Sequence, residues 1–291
     1  MIGTLKIFVA LILTLSTSVV GRNPKRGFPL VTGNEGDLVK ANNGQCSWFY
    51  NWSPSPSPAV VPPGLAFVPM QWGRENIAQF VNTVRKSGAK TVLSFNEPEL
   101  GGQSNIPPGE AAQLWKQYIQ PLKNVGVRLG SPAVSSAPAG IPWLASFIKM
   151  CTGCTIDFVV VHWFGEGANN FIGYLESVHA TFPQYSVWVT EFACTSGNSG
   201  GTYADTSWFI ELIGWLLDTA IFLTAALKFL DDPAQAWIER YSWFAFARNL
   251  DGLQSNLLDR NGNLNALGTS YIAGSKGLRS HARRRRRTIG T

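Results

Sequence analysis

Eight short apolar or β-branched runs restrict this chain to very few folds. They are Gly27–Leu30, Ser47–Trp52, Leu65–Met70, Thr91–Phe95, Val127–Gly130, Ile156–His162, Ser186–Thr190 and Tyr241–Phe246. Between several of them apolar residues recur at helical spacing. Ile77, Phe80, Val81 and Val84 form one face ahead of Gly88. Leu114, Trp115, Tyr118, Ile119 and Leu122 follow the start signal Pro107-Pro108-Gly109-Glu110, and Phe171, Ile172, Leu175 and Val178 precede the seventh run. Near-continuous apolar strands alternating with amphipathic helices predict a parallel α/β sheet covered by helices. Eight such units in about 250 residues predict closure into a single (β/α)8 TIM barrel. The alternative, an open doubly wound sheet, usually carries a Gly-rich phosphate loop after its first strand, and this sequence lacks one. The first two units are the least regular. No linker divides the chain, and Ser53–Pro58 (SPSPSP) reads as a short rigid loop.

Charge and composition exclude several functions. The net charge is +6, but seven basic residues lie in 275–291 and Lys6 lies in the leader, so residues 22–274 carry a net −2. A nucleic-acid groove needs positive charge across a folded face, so no nucleic-acid partner is expected. With 45% hydrophobic and 14% charged residues the chain can bury a large core. Three histidines (His162, His179, His281) and four cysteines are too few for a multi-histidine metal centre, and neither metal nor cofactor is expected.

Residues 1–21 have the layout of a secretory signal peptide. Lys6 precedes the apolar run Ile7–Leu15, which is short for a membrane span, and small residues follow, with cleavage expected near Gly21. The mature protein is therefore expected to be secreted, extracellular or in the cell wall, with no membrane span, and monomeric. Lys25-Arg26 could be a second processing site, but the first strand is the favoured reading. Secretion permits disulfides, and Cys46, Cys151, Cys154 and Cys194 allow three pairings. A local Cys151–Cys154 bridge is favoured over half a zinc site or a redox motif. The tail 275–291, with Arg283–Arg287, reads by composition as a solvated, disordered end, with anionic-surface binding as the alternative.

The active site of such a barrel lies at the carboxyl ends of its strands. Glu97 follows strand four, in Asn96-Glu97-Pro98-Glu99, and Glu191 closes strand seven. Glycoside hydrolysis needs such a pair, one carboxylic acid for the leaving oxygen and one carboxylate for the anomeric carbon or a water. Asn96 is placed to contact a sugar 2-hydroxyl, and Glu99 reads as a rim hydrogen-bonder. Trp48, Trp52, Trp163 and Trp243 either stack on sugar rings or pack in the core. His162 either orients a carboxylate or sugar hydroxyl or is a satisfied core histidine.

Six phrases carry a resemblance: WFYNWSP (Trp48 to Pro54), FVPMQW (Phe67 to Trp72), FNEPE (Phe95 to Glu99), GSPAV (Gly130 to Val134), IDFVVVHW (Ile156 to Trp163) and WVTEFA (Trp188 to Ala193). From about Lys25 to Ser275 the chain resembles clan A glycoside hydrolases, and within them family 128, the fungal Asl1-like endo-β-1,3-glucanases. The resemblance implies a secreted enzyme cleaving internal β-1,3-glucan linkages with retention, Glu97 as acid/base and Glu191 as nucleophile. Their carboxyl groups are then expected about 5 to 5.5 Å apart. Glu99 replaces an Asp common there in the family. The alternatives are a non-catalytic β-glucan-binding wall protein on the same scaffold, or a glycosidase or transglycosidase of another linkage.

Two motifs are set aside. Gly197–Gly201 fits Gly-x-Ser-x-Gly, but the only histidine after Ser199 is His281 in the tail. The sequon Asn51-Trp52-Ser53 is followed by Pro54 and is expected to be unmodified. Within the long connection Phe192–Ile238, Trp208–Leu230 is nearly continuous apolar sequence. Joining Glu211 to Ala225 would give a helix of ordinary length, so Leu212–Thr224 reads as an insertion or retained intron sequence. A genuine insertion is expected to expose about a dozen apolar residues unless it packs outside the barrel.

Overall fold

The computed structural model describes residues 21–42, 44–195, 207–250 and 253–273, with backbone alone for 207–217. The leader, the basic tail and Gly197–Gly201 lie outside the described residues, apart from Gly21. Every apolar run forms a strand: β1 (Arg26–Pro29), β2 (Trp48–Tyr50), β3 (Ala66–Phe67), β4 (Thr91–Asn96), β5 (Arg128–Val134), β6 (Phe158–Gly165), β7 (Ser186–Cys194) and β8 (Ile238–Trp243). They form one parallel sheet in the order β3-β2-β1-β8-β7-β6-β5-β4. The two edges meet just beyond β3. There Met70 bridges Leu93, Leu93 N–H donates to the Pro69 carbonyl at 2.8 Å, and Asn96 N–H donates to that of Trp72 at 2.9 Å. These bonds curl the sheet into the barrel and remove its open edge.

Most strand limits differ from the sequence reading: β2 and β3 are shorter, β6 runs on to Gly165 and β7 to Cys194. β5 runs past Gly130 to Val134, because Pro132 falls at a ladder irregularity beside Ser94 where a missing N–H is tolerated. β8 starts at Ile238 rather than Tyr241, since its charges are engaged. Glu239 pairs with Arg128, and Arg240 lies over the Trp48 and Trp188 rings.

Among the described residues six α-helices cover the barrel: α1 (Ile77–Ser87), α2 (Pro108–Leu114), α3 (Gly140–Met150), α4 (Ala168–Thr181), α5 (Ser207–Leu230) and α6 (Ala266–Ala273). α1 stops at Gly88, whose φ of 69° suits a residue without a Cβ. α2 starts on Pro108 and widens into a π turn over Trp115–Ile119, which keeps Trp115 and Ile119 buried. The first two units are irregular, as expected. A 3-10 helix (Glu35–Ala41) follows β1, and no helix separates β2 from β3.

Strand alternation builds two cores. Trp48, Met70, Leu93, Phe158, Val160 and Trp188 fill the barrel interior. Phe49, Phe95, Val161 and Phe192 face outward onto Phe80, Phe147, Leu175 and Leu227. Cys151 and Cys154 form a disulfide with Cα atoms 5.4 Å apart, and Cys46 is a buried thiol that burial pushes up to about 12. The dibasic pair belongs to the fold. Arg26 is 1% exposed and donates to Tyr241, to the Tyr271 carbonyl and to Asp231, while Lys25 Nζ caps the Leu230 and Gln235 carbonyls at 3.0 Å.

The second half of the suspected insertion packs outside the barrel, the exception that expectation allowed. Thr219, Phe222, Leu223, Ala226, Leu227 and Leu230 are buried at i, i+3, i+4 spacing, and Phe222 stacks on Trp163 at 5.2 Å. Residues 218–224 read DTAIFLT, and residues 205–211, thirteen positions earlier, read DTSWFIE. Excising Leu212–Thr224 would therefore bring Phe209 and Ile210 into the slots of Phe222 and Leu223. A chain lacking Leu212–Thr224 is expected to fold cooperatively, with a midpoint within about 5 °C of the full chain by calorimetry. Insoluble or non-cooperative product would show that the helix's first half has a packing role of its own.

Candidate active site

Glu97 and Glu191 meet at the carboxyl end of the barrel because two strands break their alternation. In β7, Trp188 points into the barrel and Val189 away from it. Regular alternation would then turn Thr190 inward and Glu191 outward. Instead β6 pairs Val161 with Val189 and His162 with Glu191, so Thr190 is an extra residue. This bulge lets Thr190 and Glu191 both face the interior. β4 shows similar register shifts before Asn96, and Glu97 follows with φ 41°. A positive φ on a glutamate costs on the order of 1 kcal/mol and persists where surrounding bonds impose it. Here Glu97 N–H donates to the Ala133 carbonyl at 2.7 Å.

His162 joins the two carboxylates. It is fully buried, with Nδ1 2.9 Å from Glu97 Oε1 and Nε2 2.9 Å from Thr190 Oγ1 and 3.5 Å from Glu191 Oε1. Tyr50 Oη–H and Trp52 Nε1–H each donate to Glu191 Oε1 at 2.8 Å. Burial raises the pKa of Glu191 above the usual carboxylate range, and the neighbouring Glu97 adds to this. The His162 charge and the donors Trp52 and Tyr50 pull the other way. For His162 burial alone would lower the pKa, but the Glu191 charge and the Glu97 bond outweigh it, and the net shift is upward. The shifts of His162 and Glu191 are thus coupled through their opposite charges.

Of the other residues expected at the site, the structure brings Trp52 and Asn96 to it. Trp52 is half-buried with φ 57°, and the N–H edge of its ring meets Glu191. Asn96 is buried beside Glu97; its Nδ2 donates to Gln103 and its Oδ1 has no protein partner. Glu99 lies on the rim, where Oε1 accepts from Ser135 N–H at 2.6 Å and Oε2 is buried without a partner.

Three tryptophans correct the stacking expectation. Trp48 is in the barrel floor against Trp188, and Trp163 and Trp243 lie on the outer faces of their strands, against Phe222 and Phe192. All three are buried. In β6 and past β8 the cleft-facing aromatic is one residue further on. Phe164 and Phe244 are half-buried and pack at 5.2 Å, and Phe244 meets Trp52 at 5.9 Å. Tyr50 and Thr190, absent from the sequence expectation, also belong to the site. Tyr50 is two residues before Trp52 on a strand, a spacing that puts both on one face. No sequence signal marks the bulge that brings in Thr190. Asn51 spends its amide on the Ser55 carbonyl at 3.1 Å.

Glu97, His162 and Glu191 each offer a ligand atom, all within 4.8 Å of one another. A cation is a poor fit, because both imidazole nitrogens already face Glu97 and Thr190 and would have to give up those bonds. Among the described residues no helix is long and apolar enough to cross a membrane.

Trp52→Phe removes a donor that stabilises the ionised Glu191 and keeps most of the ring. Its loss raises the carboxyl pKa further, so a carboxylate that must be ionised is available only at higher pH. The acidic limb of kcat/KM is expected to move upward in pH, and an unmoved limb would show that this bond does not tune Glu191.

A closed parallel barrel with two buried glutamates at the ends of β4 and β7, bridged by a histidine, is a glycoside hydrolase core. The chain belongs to the family described as the glycosyl hydrolase catalytic core, which matches residues 27–271, and within it to glycoside hydrolase family 128. It is similar to alkali-sensitive linkage protein 1 of Schizosaccharomyces pombe, with 33% identity over 256 residues. That match takes in 86% of this chain and 44% of the relative, so the chain spans less than half the length of that protein. A family 128 curdlan-specific exo-β-1,3-glucanase of Blastomyces gilchristii, solved with glucose, superposes with a TM-score of 0.68 at 32% identity, over 86% of this chain and 99% of that one. A family 128 endo-β-1,3-glucanase of Amycolatopsis mediterranei, solved with laminaritriose, gives 0.67 at 28% identity, over 86% and 98%.

Proposed function

We propose that this chain is a secreted, monomeric β-1,3-glucan hydrolase that works by retaining double displacement without a cofactor. The observation that carries the reading is the separation of Glu97 and Glu191, with oxygens within 4.8 Å of each other. Retaining enzymes hold their carboxyl groups about 5 to 5.5 Å apart, and inverting ones leave roughly 6.5 to 9.5 Å for a water. In the first step Glu191 attacks the anomeric carbon while Glu97 protonates the departing oxygen. In the second, Glu97 takes a proton from water, whose oxygen displaces Glu191 and restores the original configuration.

His162 supports both steps. Its raised pKa and its 2.9 Å bond to Glu97 let the trio hold one proton beside two carboxylates. Moving that proton from Nδ1 to Glu97 gives the acid, a neutral imidazole and an ionised Glu191, without net charge entering the pocket. Trp52, Phe164 and Phe244 supply aromatic surface beside it.

The β-1,3 linkage comes from the relatives. Cleavage of internal bonds follows the Amycolatopsis enzyme, and the Blastomyces enzyme acts from chain ends. A secreted location in the cell wall agrees with the Cys151–Cys154 disulfide, which suits an oxidising compartment. The test is proton NMR of linear β-1,3-glucan during digestion. Reducing ends are expected to appear first as the β-anomer. Initial α-anomer would mean inversion, and binding without release would favour the wall-binding reading. A spread of oligomer sizes marks internal cleavage, and one small product marks exo action.

A further inference from the structure

We infer that Arg74, outside the cleft, is a positioning residue for the acid/base loop. The inference rests on the glycosidase reading above. The loop from Glu97 to Asn105 is a short excursion with tied ends: Ser104 N–H donates to the Asn96 carbonyl at 3.2 Å, and Ile106 N–H to that of Pro98 at 2.9 Å. Inside it Leu100 N–H bonds the Glu97 carbonyl at 3.0 Å, and Gln103 accepts from Asn96 Nδ2 at 3.2 Å. The loop thus holds both Asn96 and Glu97, and it contains two left-handed non-glycine residues, Glu97 at φ 41° and Asn105 at φ 47°. A backbone in that region needs outside restraint.

Arg74 supplies it from the β3–α1 connection. Its Nη1 donates to the Ser104 carbonyl at 3.0 Å and its Nη2 to the Asn105 carbonyl at 3.1 Å. The same guanidinium forks onto Glu110, in the first turn of α2, at 2.5 and 2.8 Å. The planar fork pins the far end of the loop to two elements at once, which an ammonium cannot reproduce. A surface ion pair alone is worth little to stability. Both side chains are about two-fifths exposed, so they can be replaced without opening the core.

The consequence is read most directly in the acid step. A loosened loop misplaces the Glu97 proton, which matters for a sugar leaving group and little for one that departs without protonation. Arg74→Ala is expected to lower kcat on β-1,3-glucan by roughly tenfold to a hundredfold, with KM within about twofold. kcat/KM for a dinitrophenyl β-laminarioligosaccharide, which reports formation of the glycosyl-enzyme without acid help, should stay within about twofold of wild type, while its steady-state kcat falls because Glu97 is also the base of the second step. Arg74→Lys should fall between, and Glu110→Gln should show the same selectivity in weaker form. Glu97→Gln in the same panel separates two failures. If it lacks the leaving-group dependence, the acid assignment falls and this inference with it. If it has the dependence while Arg74→Ala and Glu110→Gln slow both substrates equally, or neither, only the role of Arg74 falls.

Discussion

Glu191→Gln is expected to abolish glucan hydrolysis, with a loss of roughly 10⁵-fold in kcat, while leaving the fold and sugar binding intact. Glutamine is isosteric and keeps an oxygen to accept the 2.8 Å bonds from Tyr50 and Trp52. It is no nucleophile towards an anomeric carbon, and loss of a covalent nucleophile removes most of the rate enhancement. Stability should hold or rise. Glu191 is 5% exposed and its pKa is raised chiefly by burial, so in the apo protein the ionised carboxylate is in an unfavourable place that a neutral amide relieves. The measurement is reducing-sugar release from linear β-1,3-glucan, paired with thermal unfolding and titration of a laminarioligosaccharide. Equal release by both proteins would remove Glu191 from the reaction. Loss of binding together with activity would show a structural role instead.

The strands were legible because each is an apolar run of strand length, and period and length survive tertiary packing. Glu97 and Glu191 were legible because they end strands, where a barrel collects its chemistry. The aromatic lining was misread by one residue at two places. Trp163 follows His162, and His162 faces in, so alternation sends Trp163 out and brings Phe164 back. Trp243 and Phe244 stand in the same relation beside Ser242, whose hydroxyl donates to the Thr190 carbonyl. Parity counted from His162 leads to Phe164, and from Ser242 to Phe244. Parity fails at β7, where the bulge at Thr190 shifts every later residue, and bulges leave no period to count. Trp48 faces in but lies a layer too low, since depth along a barrel depends on stagger between strands rather than on the residue. Arg74 carries no sequence signal for a related reason. Its partners are carbonyls of a loop thirty residues away, a pairing that only the closure of β3 onto β4 creates.

Glu97→Ala should produce a different defect from that at Glu191, one that depends on the leaving group. Without the acid, the first step on β-1,3-glucan must expel an unprotonated sugar alkoxide, and kcat should fall by roughly 10²- to 10⁴-fold. A dinitrophenyl glycoside leaves without help, so the glycosyl–Glu191 intermediate should still form quickly and then accumulate, because no base activates water. A burst of dinitrophenol followed by slow turnover is the expected trace. Azide, which needs no deprotonation and fits the space left by the side chain, should restore turnover and yield the β-glycosyl azide, the product of two inversions. An α-glycosyl azide would mean direct displacement and an inverting enzyme. Parallel loss on both substrates with no azide effect would mean that Glu97 holds the loop rather than the proton, and the acid would have to be sought elsewhere on the rim, beginning with the partnerless oxygen of Glu99.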